Sequence, residues 1–230
     1  MSDSPAQPRA VLFDAYGTLF DVFSVGALAE QLFPGQGEAL AKLWREKQID
    51  YTRLLTLAGR YQRFGEVTRN ALRYAALQLK LPWDSAAEER LMNQYQQLTA
   101  FPENREVLQA LKARGVPTGV LSNGDPDMLH AAVHSAGLQA WLDPVLSVDS
   151  VRRFKTDPQA YALGPQALGL EARDILFVSS NGWDAIGATW FGYTTLWVNR
   201  AGLPLEQLDT NPTRIGSRLT DVLSFFPDNL

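Results

Sequence analysis

Asp14, Lys155 and Asp184 carry charge in the stretches of this chain where chemistry could be done. Val11-Leu12-Phe13 reads as a buried strand that ends at Asp14, and the chain then turns at Gly17. In open α/β sheets, ligands meet the carboxyl ends of strands, so Asp14 is presented rather than hidden. A lysine near that carboxylate would hold it ionised and help neutralise an anionic substrate, and Lys155 precedes a helix opening at Asp157-Pro158. Ser122-Asn123-Gly124 ends a second apolar run, followed by Asp125-Pro126, which suits an N-cap with proline at the first helical position. Ser179-Ser180-Asn181-Gly182-Trp183-Asp184 follows a further run, and Asp184 is its only acid. Taken singly, these stretches read as turns, caps and a solvated lysine. Two histidines, His130 and His134, give weak grounds for a metal or acid–base role and receive none.

The elements that must position these groups alternate. Strand-like runs fall at 10–13, 118–121, 145–148, 175–178 and 194–198, with helical patterns between most of them, as a parallel sheet with crossover helices requires. Residues 24–100 break the alternation. They hold no convincing strand, only apolar residues at helical spacing, such as Leu40, Leu43, Trp44 and Tyr51, then Ala71, Leu72, Ala75, Ala76 and Leu79. Pro82-Trp83-Asp84-Ser85 ends one helix and starts another, with Asp84 or Ser85 as N-cap. The expected architecture is a Rossmann-like α/β core, residues 1–20 plus 102–230, with an all-helical cap inserted at 21–101 over the catalytic end of the sheet. Gly187 and Ala188 are expected to let the helix after Asp184 lie close to the sheet.

The stretch Asp14-Ala15-Tyr16-Gly17-Thr18-Leu19-Phe20-Asp21 resembles the first signature of the haloacid dehalogenase superfamily, whose aspartate there is a covalent nucleophile. Most members are phosphatases with a second aspartate two residues on and a pair of acids early in the fourth motif, together completing a magnesium site. Here those places hold Tyr16 and Ser179-Ser180, so the metal site is dismantled twice over and no metal or cofactor is expected. Both versions are similar to those of the L-2-haloacid dehalogenases within the superfamily. Ser122 matches the second motif and Lys155 the third, where Thr156 stands in place of the usual proline. Leu43-Trp44-Arg45-Glu46-Lys47-Gln48 resembles these enzymes' Trp-Arg-x-Lys-Gln helix, which assigns Arg45 to halide binding; by periodicity alone Arg45 is a surface residue like Arg53, Arg60 and Arg63.

The resemblance spans residues 10 to about 200 and implies a hydrolase releasing halide from short L-2-haloalkanoic acids. Asp14 would attack C2, and water would then cleave the aspartyl ester to a D-2-hydroxy acid. Thr18, Lys155 and loop N–H groups after Asp14, at Ala15 and Tyr16, would hold the nucleophile and the substrate carboxylate with Ser122. Arg45 with Asn123 would stabilise the halide, and Ile49, Phe64 and Trp183 would form the apolar wall. Asp184 would be the base for ester hydrolysis, with Ser179 and Asn181 holding the water or orienting Asp184 and Lys155, and Tyr161 supporting Lys155. A magnesium-dependent phosphatase and a non-catalytic binding protein of the same fold are the alternatives; the first would need an acid at Tyr16, the second predicts loss of Asp14, Lys155 or Asp184.

The rest of the composition narrows the class. With 230 residues, 46% hydrophobic and 20% charged, the chain suits a globular protein with an ample core. A formal charge of −4 gives no electrostatic attraction to nucleic acid or an anionic membrane. Cysteine is absent, which excludes disulfides, thiolate metal sites and cysteine nucleophiles. Met1 to Arg9 is polar, lacks a signal-peptide core and reads as a short loose arm, so the cytoplasm is the expected compartment. The expected partners are a small 2-haloacid and its halide, and the resemblance implies a homodimer through exposed apolar helices.

Overall fold

The computed structural model describes residues 7–227. The chain enters along β1 (Ala10–Phe13), passes the Asp14 loop, and makes a two-residue strand, β2 (Phe20–Asp21). Four helices follow: α1 (Gly26–Leu32), α2 (Gly37–Leu57), α3 (Phe64–Gln78) and α4 (Ser85–Tyr95). The return is through β3 (Thr99–Ala100), and then α5 (Asn104–Ala113), β4 (Thr118–Ser122), α6 (Pro126–Ser135), β5 (Val145–Ser147), α7 (Pro158–Leu168), β6 (Ile175–Ser179), α8 (Gly182–Phe191), β7 (Thr194–Val198) and β8 (Arg214–Gly216).

Six strands form one parallel sheet in the order β5-β4-β1-β6-β7-β8. The sequence has β1 first, yet it lies in the interior between β4 and β6, so the order reverses around it. Such a switch point opens a crevice at the carboxyl ends of the strands. Asp14 stands at that point. Residues of β1, β4 and β6 are buried throughout, as strands covered by helices on both faces must be.

Three features depart from the sequence expectation. β2 and β3 pair antiparallel, with Phe20 opposite Ala100 and Asp21 opposite Thr99, so a strand does occur within 24–100. Four residues are too few for a periodic signal, and this two-strand clip gathers the ends of the helical excursion beside the Asp14 loop. β8 was not foreseen either, because Arg214-Ile215-Gly216 is largely exposed at the sheet edge and carries no apolar run. The strand expected at 145–148 ends at Ser147, where Val148 begins a 3-10 turn.

Local capping follows the residues. Asp84, not Ser85, is the N-cap of α4, its carboxylate accepting from the Ala87 N–H at 2.7 Å. Asp157 caps α7 by accepting from the Gln159 N–H. Asp125 occupies the N-cap position of α6 but makes no capping bond there. Its two oxygens accept instead from the Phe64 and Gly65 N–H groups, at 2.9 and 2.8 Å, so it caps α3 from a neighbouring element. Of the expected loose arm, residues 1–6 lie outside the described residues, whereas Pro8 is buried and the Arg9 N–H donates to the Asp174 carbonyl at 2.7 Å. Among the described residues no helix is long and apolar enough to cross a membrane.

Candidate active site

Three loops at the carboxyl ends of β1, β4 and β6 and one face of α2 enclose a small cavity. Asp14, Tyr16, Arg45, Gln48, Ile49, Thr52, Phe64, Ser122, Asn123, Asn181 and Trp183 line it, and its free space of about 20 Å³ suits one water-sized group. Arg45, Ile49, Asn181 and Trp183 also line a neighbouring pocket of about 460 Å³ that extends to Phe101 and Arg200. A surface groove of about 1100 Å³ beside Arg60, Arg63 and Arg153 contains none of these cavity-lining groups.

A buried line of charge runs behind the cavity. Asp14 Oδ1 accepts from Lys155 Nζ at 3.0 Å, and Lys155 Nζ also donates to Asp184 Oδ2 at 3.0 Å. The other Asp14 oxygen, Oδ2, accepts from Thr18 Oγ1 and from Asn181 Nδ2, each at 3.0 Å. Thr18 is itself held by the Ser180 N–H, which donates to its hydroxyl oxygen at 2.8 Å. Three donors on one carboxylate fix its orientation. Burial pushes the Asp184 carboxyl up, opposed by Lys155 and reinforced by the Asp14 charge. Burial works against the Lys155 ammonium, yet Asp14 and Asp184 together raise its pKa, so the lysine stays charged.

Tyr161 does not support Lys155. Its hydroxyl donates to Asp184 Oδ1 at 2.7 Å, because a neutral phenol needs an acceptor and Lys155 offers only donors. Burial, then the Asp184 charge, pushes the Tyr161 phenol far up, which keeps that proton in place. Gly187 makes room for this contact. A β-carbon there would stand 2.5 Å from the Tyr161 hydroxyl and 2.6 Å from Thr156 Cγ2, so the glycine serves helix packing onto α7 and the Lys155 loop more than onto the sheet.

Arg45 reaches in from α2. Its Nη2 donates to the Tyr16 carbonyl and to Asn181 Oδ1, both at 3.1 Å, and its Nη1 to Gln48 Oε1 at 2.8 Å. Among the described residues no carboxylate lies within ion-pair distance of Arg45. Asn181 therefore joins the Asp14 carboxylate to the Arg45 guanidinium, and it orients these two rather than Asp184 or Lys155. Ser179 shapes the same loop, its hydroxyl accepting from the Asn181 N–H at 3.1 Å. Asn123 uses its carbonyl on the Lys155 N–H at 2.9 Å, leaving its amide nitrogen towards the cavity it lines. Ser122 is buried there and its hydroxyl accepts from the Gly124 N–H. Tyr16 stacks between Phe64, at 5.3 Å, and Tyr95, at 5.6 Å, and burial keeps its phenol neutral.

Some expected site residues stand back from the cavity. Ala15 is buried and its carbonyl closes the turn by accepting from the Thr18, Leu19 and Phe20 N–H groups. Lys155 is committed to two carboxylates and lies over the Phe177 ring, so it acts on Asp14 from behind. His130 and His134 are exposed on α6. Sequence reasoning passed over Gln48 and Thr52, although Leu40, Trp44, Gln48 and Thr52 recur every four residues on the buried side of α2. It also passed over Arg200, which donates to the Thr18 carbonyl at 3.2 Å, the Ser180 hydroxyl and Glu103 at 3.0 Å, and stacks on Phe101. A lone arginine after a strand gives no signal by itself.

The arrangement does not fit a magnesium ion. The two carboxylates that could share one are already bridged by an ammonium, Tyr16 adds no anion, and the early positions of the β6 loop are serines. Among the described residues no group of three or more histidine, aspartate or glutamate side chains could hold a metal.

An aspartate–lysine–aspartate line thus stands at the switch point of the sheet, covered by helices. The profile of the haloacid dehalogenase-like hydrolases matches residues 8–192, and the chain belongs to that family. More particularly, it is 43% identical over 218 residues to an (S)-2-haloacid dehalogenase of Pseudomonas sp. (strain YL), covering 95% of this chain and 94% of that one. The crystal structure of an L-2-haloacid dehalogenase superposes with a TM-score of 0.94 at 58% identity, over 96% of this chain and 99% of the other. The L-2-haloacid dehalogenase of Xanthobacter autotrophicus, solved with chloropropionic acid covalently bound, superposes with a TM-score of 0.87 at 38% identity, over 94% and 96% of the two chains.

Proposed function

We propose that the protein is an (S)-2-haloacid dehalogenase, releasing halide from short L-2-haloalkanoic acids through an ester on Asp14. The observation that carries this reading is the cavity's polarity. A carboxylate held by three donors faces the same small space as Arg45, a cation that has no ion-pair partner among the described residues. A nucleophile and a receptor for a departing anion are what a displacement at carbon needs. The covalent complex of the Xanthobacter enzyme supports the same chemistry.

The Asp14 carboxylate attacks C2, forming a C–O bond as the carbon–halogen bond breaks, and the halide leaves with the electron pair beside Arg45. Water then adds to the carbonyl carbon of the Asp14 ester. Asp184 takes its proton, helped by a carboxyl that burial has made more basic than usual. The ester opens to the D-2-hydroxy acid and regenerates Asp14. Only the first step touches C2, so configuration inverts. Ser122 supplies a polar contact for the substrate carboxylate, Asn123 stands with Arg45 at the departing halide, and Phe64, Ile49 and Trp183 hold the alkyl part dry, which strengthens every charge interaction around it. The division into a core of 1–20 plus 102–230 and a helical cap of 21–101, a homodimeric state and a cytoplasmic location form part of the same reading.

The test is a single turnover of L-2-chloropropionate in water enriched with heavy oxygen, with EDTA present. An ester mechanism leaves the first D-lactate unlabelled and puts the label into Asp14. Label in the lactate would mean that water attacks C2 directly. Phosphate release from p-nitrophenyl phosphate with magnesium, and no chloride, would replace the reading with a phosphatase.

A further inference from the structure

Gln48 is fully buried on α2, three residues beyond Arg45, and its amide sits in a chain of bonds with one direction. Thr68 commits its hydroxyl proton to the Phe64 carbonyl at 2.7 Å, so its oxygen can only accept. Gln48 Nε2 donates to that oxygen at 2.6 Å. The amide orientation is thereby settled, and Gln48 Oε1 must face the Arg45 guanidinium, which donates to it at 2.8 Å. The Tyr95 hydroxyl lies 3.1 Å from Nε2 and 3.2 Å from Oε1 and closes the network. Trp44 Nε1 donates to the Thr68 carbonyl at 2.8 Å, pinning α2 to α3 at the same level.

The partner chosen for Arg45 is a neutral oxygen. A glutamate in the same place would reach the guanidinium equally well but would cancel its charge inside a dry site, where a nearby carboxylate counts for most. An amide fixes the geometry and leaves the positive charge for another anion. We propose, on the basis of the dehalogenase reading, that Gln48 is a positioning residue that holds Arg45 uncompensated, and that the Gln48–Thr68–Tyr95 network thereby sets which halides the protein releases readily. A small halide concentrates its developing charge and gains most from the guanidinium, so chloride depends on this network more than bromide.

The experiment compares Gln48→Glu and Tyr95→Phe with the unaltered protein on L-2-chloropropionate and L-2-bromopropionate, alongside thermal unfolding and chloride-35 linewidth titrations without substrate. For Gln48→Glu, chloride release is expected to fall roughly 100- to 1000-fold, the loss seen when one charge-stabilising donor is removed, and bromide release clearly less. KM should change little, and chloride broadening should disappear. Tyr95→Phe keeps the ring stacked on Tyr16 and should shift the chloride-to-bromide ratio the same way by about 2- to 10-fold. Equal losses for both halides in folded variants, or an unchanged ratio, would overturn the proposal. If the unaltered protein released no halide at all, the dehalogenase reading would fail by itself. Chloride broadening that Gln48→Glu abolishes would then still support the network, and broadening that persists would overturn it.

Discussion

Asp14, Lys155 and Asp184 place two negative charges around one positive charge, all buried, so each residue's state depends on the other two. Replacing Asp14 with asparagine removes the proposed nucleophile and should abolish turnover while circular dichroism stays unchanged. It also removes a like charge from Asp184, whose carboxyl should then titrate lower than in the unaltered protein. Lys155→Met is expected to act oppositely. It strands two carboxylates without their cation and should cost about 3–5 kcal/mol in denaturant unfolding. The pH profile follows from the same cluster. Burial raises the Asp184 carboxyl, so the protonated, inactive form persists to higher pH, and the acid limb of kcat should fall above the ordinary carboxylate range. The Lys155 ammonium is raised as well, so its loss should limit activity only at strongly alkaline pH.

At the scale of elements, what matters is how the helical excursion is tied to the sheet. Asp125 grips the first turn of α3, and that turn carries Phe64, part of the cavity wall. Further ties run from the Tyr61 hydroxyl to Asp149 at 2.8 Å and from the Phe154 N–H to the Thr56 hydroxyl at 3.1 Å. Asp125→Ala leaves two N–H groups without their acceptor and should lower stability by about 1–3 kcal/mol. KM for 2-chloropropionate should rise more than kcat falls, because the wall loosens while the Asp14 cluster is untouched; steady-state kinetics with thermal unfolding would show both. Burial holds the Asp125 carboxyl above its usual pKa, against the pull of the Gly65 and Phe64 N–H groups and Arg63. The sign is clear for this group: its charged form is penalised in the folded state, so its contribution to stability is greatest at acid pH and declines as pH rises through its folded pKa.

For the whole molecule, the outward faces of α2 and α3 expose Leu54, Leu57, Tyr74 and Leu77, with Leu57 86% and Leu77 74% accessible. Tyr51 meets Tyr74 edge-on between the helices, which continues the apolar surface. This face is where the proposed homodimer would form, since apolar area of this kind is normally covered. Leu57→Asp combined with Leu77→Asp should halve the mass seen by light scattering at low concentration and leave the cavity residues in place. Unchanged mass would move the interface elsewhere.

The parallel core and most of the residues that line the cavity were legible in the sequence. Val11-Leu12-Phe13 before Asp14, and Ile175 to Val178 before the Ser179 loop, are apolar runs that only a doubly covered sheet can bury, and both led to the cavity. Tyr16 and the two serines also show, without any coordinates, which carboxylates those positions lack, because residue type alone decides it. Tertiary structure decided what composition and periodicity leave open. The β2–β3 clip and β8 are too short or too exposed to leave a pattern. Arg45 looks like a solvated helix residue until α2 is laid over the β1 loop, and Gln48 reads as one polar residue among many until its amide is found in a dry network. The N–H groups that Asp125 binds and the carboxylate that Tyr161 binds are equally invisible along the chain. A hydrogen-bonding side chain finds its partner by proximity in space, and those partners lie 60 and 23 residues away along the chain.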